Sequence, residues 1–249
     1  PFVRQLVKYS CLVIKDTKTE KEDLSLKFVD ERLLATPPVA LAQVKKEMDY
    51  MFSLVEENLS LSFDAMEKGI LGKGEIVKKN EKIINFTNNN LTKFLISLSA
   101  KVEQSDEKII GSYFHVLNDL ERIGDHAENF YGIGEEMASK NLSFSEIARG
   151  DINNMHNNIS RMIEIAKDAF ENLNENRLPE LTTLENKVDA LKRDLTASHF
   201  ARLAEGNCNM DASPYFSSAV VGLERVADHL INVGFSIMNP TGSQENFNR

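Results

Sequence analysis

Residues 119–130 read DLERIGDHAENF, and residues 222–233 read GLERVADHLINV. A string of this length written twice restricts the fold more than any residue propensity does, because the same supersecondary unit must serve each copy. Leu120 and Leu223 open the shared LER, 103 positions apart. Other features recur at almost that offset. Phe63-Asp64-Ala65 is echoed by Lys167-Asp168-Ala169, and the pair Glu81 and Asn85 by Glu185 and Asp189. The 249 residues therefore read as two copies of one unit, 36–140 and 141–240, with a leader at 1–35 and a tail at 241–249.

Punctuation divides each unit into three long helices. Thr36 is placed to cap a helix opened by Pro37 and Pro38, and apolar residues then recur at helical spacing until the glycines at 69, 72 and 74. A second helix is expected from about Gly74 to Val102, and a third from Ser105 or Asp106 to about Ser139. In the second unit Ser143 and Glu146 have capping-box spacing, Pro179 stands where a helix starts, Gly206 marks a break, and Ser213-Pro214 reads as a cap followed by proline. No stretch alternates with period two, so no sheet is expected. The fold class is all-α: six long helices in two tandem three-helix bundles.

Composition sets limits on partners. With 29 basic against 38 acidic residues the formal charge is -9, which argues against nucleic acid or an anionic lipid surface as main partner and suits cations instead. Cys11 and Cys208 are far apart and form no C-x-x-C, so neither a disulfide framework nor a thiolate zinc site is supported. No run of about 18 apolar residues occurs. The opening PFVRQLVKYSCLVIKD reads as a basic, apolar segment leaving a larger membrane-embedded body, and the DTKTEKED run after it as a solvated linker.

Within the repeats, acids are spaced for one helix face. Residues four apart stand side by side on an α-helix, so Glu121 pairs with Asp125 and Glu224 with Asp228, each stripe continuing to Asn129 or Asn232. The preceding helices carry Glu81 with Asn85 and Glu185 with Asp189. In the second unit the two pairs are equidistant from Gly206, and in the first from the AKVEQSD connection, so an antiparallel hairpin brings them level. Carboxylates gathered at one height repel until a cation neutralises them. An all-oxygen set suits iron, manganese, magnesium, calcium or zinc, and bridging carboxylates permit a cluster. His126 and His229 follow the aspartates by one residue, about 100° off the stripe, and are assigned to packing or capping instead. Asn85 leaves three acids in the first unit against four in the second, so the second is the stronger candidate. Glu164 with Asp168 and Glu103 with Glu107 share the spacing but have no repeat counterparts, and read as solvated faces.

The twin LER motifs, the E-x-x-x-[D/N] pairs and the tandem three-helix units together resemble PhoU, the bacterial regulator of phosphate uptake, over residues 37 to about 240. The resemblance implies multinuclear iron or zinc bound on the helix surfaces by Glu121, Asp125, Glu185, Asp189, Glu224 and Asp228, with Glu81 and Asn85 the less complete pair. The chain departs from the pattern at Asn85, in place of an acid, and at Gly222, where the first copy has Asp119. A narrower likeness lies in FVDERLLATPPVALAQVKKEM, which is similar to the junction after the membrane region of bacterial sodium/phosphate cotransporter family proteins, whose cytoplasmic C-terminal part is PhoU-like. It implies a metal-bearing regulatory module on the cytoplasmic side of the membrane. The partner would be the membrane-embedded portion of the same protein or a phosphate transporter, with no nucleic acid, and homo-oligomerisation is left open.

Three other readings compete. A free-standing PhoU-type regulator needs no membrane part, and a metal-free helical adaptor would use Met48, Met51, Met155, Tyr113, Phe114, Tyr215 and Phe216 only as core. A carboxylate-bridged di-iron oxidoreductase requires E-x-x-H, and none of the histidines at 115, 126, 156, 199 and 229 has a glutamate three residues earlier. GKGEIVKK lacks the spacing of a phosphate-binding P-loop. No catalytic role is expected.

Overall fold

A computed structural model describes residues 24–236. Six α-helices occupy most of them: α1 (Pro37–Lys68), α2 (Gly74–Ser99), α3 (Gln104–Ser139), α4 (Glu146–Asn172), α5 (Leu178–Ala204) and α6 (Ser213–Phe235). No strand occurs among the described residues. The first three helices form one unit and the last three the other. Cys11, the opening basic segment, the DTKTEKED run and the tail lie outside the described residues.

The apolar spacing of α1 explains its buried face. Val44, Met48, Met51, Phe52, Val55, Leu59, Phe63 and Met66 each lie three or four residues from another of the set, so they share one face, and all are buried. Pro37 and Pro38 begin the helix where missing N–H groups cost nothing. Gly69, in the left-handed region at φ 69°, ends it, donating its N–H to the Ala65 carbonyl while Ile70 donates to Asp64. Tyr131 of α3 holds the following loop through a hydrogen bond from its hydroxyl to the Leu71 carbonyl.

The two units share a core. Its buried apolar residues run without a break from Val29 to Val233, and α3 packs on α1 within its own unit and on α6 in the other. At 36 residues α3 is the longest helix, about 54 Å, and forms the central contact. Polar links cross the same boundary: Lys167 with Glu56 at 2.7 Å, His156 with Glu67 at 3.2 Å, and the Ser112 hydroxyl to the Ser236 carbonyl at 2.8 Å. Met48, Met51, Met155 and Phe216 are buried as expected, while Tyr113, Phe114 and Tyr215 pack half-buried at the edge.

Several boundaries differ from the sequence reading. The described end of the leader packs on the first unit. Val29 is buried, the Phe28 N–H donates to the buried Glu47 carboxylate at 2.7 Å, and Lys27 lies over the Tyr50 ring, so the chain is docked on α1 before the helix begins. Thr36 occupies the cap position without a side-chain cap bond. Ser145, not Ser143, caps α4 by accepting from the Ala148 N–H, because Phe144 is buried against Phe216 and keeps the chain extended up to that point. Ser213 lies inside α6, and its hydroxyl is bonded to His199 Nε2 at 2.8 Å instead of capping.

Candidate functional site

Each unit ends in an antiparallel helix pair, α2 with α3 and α5 with α6, and the acidic residues face one another across these pairs. In the second hairpin Glu185, Asp189 and Asp228 each offer a carboxylate oxygen, and the three oxygens lie within 4.8 Å of one another. Burial raises the Glu185 carboxyl above its usual range, and the charges of Asp189, Asp228 and Glu224 push it further. Asp228 is likewise raised by burial, then by Glu224 and Asp189, against the opposing charges of His229 and Lys192. Asp189 has Arg193 at 3.9 Å on its outer side.

The fourth acid is engaged elsewhere. Glu224 Oε1 accepts from Lys192 Nζ at 2.5 Å, an ion pair reaching from α5 to α6. The sequence reading placed all four oxygen-bearing side chains in one group, and it missed Lys192. Lys192 follows Glu185 by seven residues, so it returns to the same face two turns along, and extending the stripe by that step would have found it.

In the first hairpin Glu81 is 4% exposed and is the most enclosed acid of either set. Its Oε1 accepts from Asn85 Nδ2 at 2.9 Å, while Oε2 is buried with no hydrogen-bond partner. Burial pushes its pKa up to about 7, with Asp125, Glu128 and Glu121 adding to the rise and Asn85 opposing it. Glu121 is raised as well, by burial and then Asp125, against Arg122 and His229; its Oε2 is buried without a hydrogen bond, with Arg122 Nε at 3.6 Å. Gly124 makes room for this approach: a Cβ there would stand 3.0 Å from Glu81 Oε2. Arg122 bonds Asp125 at 3.3 Å from the exposed side. Asn129 is exposed, whereas Asn232 is half-buried.

The histidines join the two hairpins. His229 Nδ1 is 2.8 Å from Asp119 Oδ1, linking α6 to α3, and the His126 and His229 rings are 6.0 Å apart. His126 also stacks on Phe130, and burial lowers its pKa, with His229 and Arg225 adding to the effect. Neither residue caps a helix: His126 packs on Phe130, whereas His229 makes a polar link to Asp119 that lies outside the expected packing or capping role. Gly222, the departure from Asp119, has a local cause, since a Cβ there would meet Phe130 Cε1 at 2.6 Å. The acids set aside as solvated are so: Glu164 pairs with Arg161 in solvent, and Glu103 and Glu107 are exposed.

All-oxygen ligands, two buried carboxylate oxygens without hydrogen bonds and a close triad of acids fit a hard or borderline cation in each hairpin. Two repeated three-helix units, each with acids facing across its final hairpin, define the class of protein. The model of the PhoU domain matches residues 48–132 and again 152–237, and the chain belongs to the PhoU domain family. It is similar to the phosphate-specific transport system accessory protein PhoU homolog of Clostridium acetobutylicum, 26% identical over 212 residues that make up 84% of this chain and 95% of that protein. The fold is that of the crystal structure of PhoU from Pseudomonas aeruginosa, with a TM-score of 0.74 at 20% identity over 80% of this chain and 95% of that one.

Proposed function

We propose that this chain is a metal-binding regulatory accessory protein of phosphate transport, acting by contact with a transporter and without catalysis of its own. The observation that carries the metal reading is acidic oxygen gathered at matching places with too little positive charge to meet it. Glu81 Oε2 is buried without a partner beside Glu121 in the first hairpin, and Glu185, Asp189 and Asp228 converge in the second. A buried unpaired carboxylate costs several kcal/mol, which protonation or a bound cation removes. A bound iron or zinc ion would supply positive charge and fix the spacing of the paired helices. Glu81, Glu121 and Asp125, with Asn85 as a neutral oxygen donor, would hold it in the first hairpin, and Glu185, Asp189, Asp228 and Glu224 in the second.

The regulatory role rests on the family and on the Clostridium relative, whose name describes an accessory protein of phosphate-specific transport. That likeness takes in 95% of the relative's length. The second reading, a cytoplasmic module joined to a sodium/phosphate cotransporter, is carried by the FVDERLLATPPVALAQVKKEM segment, which runs into the first turns of α1. Among the described residues no helix is long and apolar enough to cross a membrane.

Elemental analysis of protein purified without chelator tests the site. Bound transition metal is expected, and Glu224→Ala combined with Asp228→Ala should remove the share held by the second hairpin. Unchanged content in the double variant would sink the assignment. Crosslinking to a phosphate transporter in membranes should respond to phosphate; indifference would count against regulation.

A further inference from the structure

We propose that Lys192 is the resident counter-ion of the second acidic group, an internal competitor that sets how tightly that hairpin takes a metal ion. The inference rests on the metal reading given above and concerns what separates the two sites. Lys192 Nζ reaches across from α5 to Glu224 Oε1, whose side chain is 14% exposed, while the lysine side chain remains 33% exposed. One end of the acidic stripe is therefore already neutralised by an ammonium. To recruit Glu224 a metal ion must displace that ammonium into solvent, and the exposure of Lys192 gives it somewhere to go.

The first hairpin has only a looser device. By the repeat alignment that places Glu81 on Glu185, the position of Lys192 falls on Asn88, which brings no charge. The cation that does approach, Arg122, comes from α3, is half exposed, and makes only long contacts, 3.3 Å to Asp125 and 3.6 Å to Glu121 Oε2. Glu81 Oε2 stays without a partner below it. An incoming ion thus meets an unpartnered Glu81 oxygen and two long, solvent-side arginine contacts in the first hairpin, and a close ammonium pair in the second. Parting the close pair in partly buried surroundings costs more than parting the exposed arginine contacts. The two hairpins should fill at different metal concentrations, the first before the second, although the second carries more acids.

The test is equilibrium dialysis of the chelator-stripped full chain against graded zinc, with bound metal read by elemental analysis. Wild type should fill in two phases. Lys192→Met should tighten the weaker phase about tenfold, equivalent to about 1.4 kcal/mol, with Lys192→Gln as a second replacement that keeps a polar tip. Asn88→Lys, which installs the competitor in the other repeat, should weaken the tighter phase. Glu185→Gln with Asp228→Asn should abolish the weaker phase and so assign it. If that double variant abolishes the phase while both lysine replacements leave it unmoved, Lys192 is merely structural and the proposal is overturned with the metal reading intact. Absence of zinc from wild type and all variants would overturn the metal reading and this inference together.

Discussion

Glu81 shows how one side chain ties stability to occupancy. Its pKa in the folded chain is about 7 against an ordinary 4.5, so between those values the folded state holds the proton more tightly than the unfolded one. Its contribution to stability is fully present below pH 4.5 and is lost as pH rises through about 7. The metal-free protein should therefore lose up to about 3 kcal/mol over that window. Glu81→Gln should flatten the loss, and denaturant titrations at pH 5 and pH 8 in chelator measure it; equal slopes for both proteins would refute the assignment. The acids at 121, 125, 185, 189, 224 and 228 were legible because a four-residue step on a helix is a geometric statement. Burial of Glu81 was not legible. It depends on Gly124 of another helix leaving space, and no spacing within α2 carries that information.

At the scale of helices, the close approaches and the ends decide. Gly134 lets α3 lie against α1, since a Cβ there would be 2.6 Å from the Ala65 carbonyl oxygen, a backbone atom that no rotamer change can move. Gly134→Ala should cost about 1–3 kcal/mol through overpacking, more than its helix-propensity gain of about 1 kcal/mol, and lower the denaturation midpoint. Leu173 presents the opposite case. It ends α4 at φ 54°, a left-handed conformation that costs a side chain about 1 kcal/mol, and it is exposed. Leu173→Gly should stabilise the fold by about 0.5 kcal/mol once the freer unfolded chain is counted, and raise the denaturation midpoint accordingly. Helix number and order were readable from proline, glycine and apolar period. The serine caps were misplaced because 143 and 145 are equally good cap residues locally, and the choice falls to Phe144 finding Phe216 more than seventy positions away.

For the whole molecule, the repeat was read as two bundles, and the structure gives two units with one core. Because the buried apolar cluster passes from α1 through α3 into α4 and α6, the halves should not unfold separately. Urea unfolding followed by far-ultraviolet circular dichroism and by a probe in each half should give one coincident transition; two midpoints would contradict the shared core. The boundary between the halves also carries a consequence for how such a chain came to differ from its own duplicate. Aspartate at 119 answers His229, whereas glycine at the matching position 222 yields its space to Phe130. A symmetric dimer of one repeat would have to ask a single residue to do both. Joining two copies in tandem releases that constraint, and a division of labour becomes available to the halves that no pair of identical subunits can adopt.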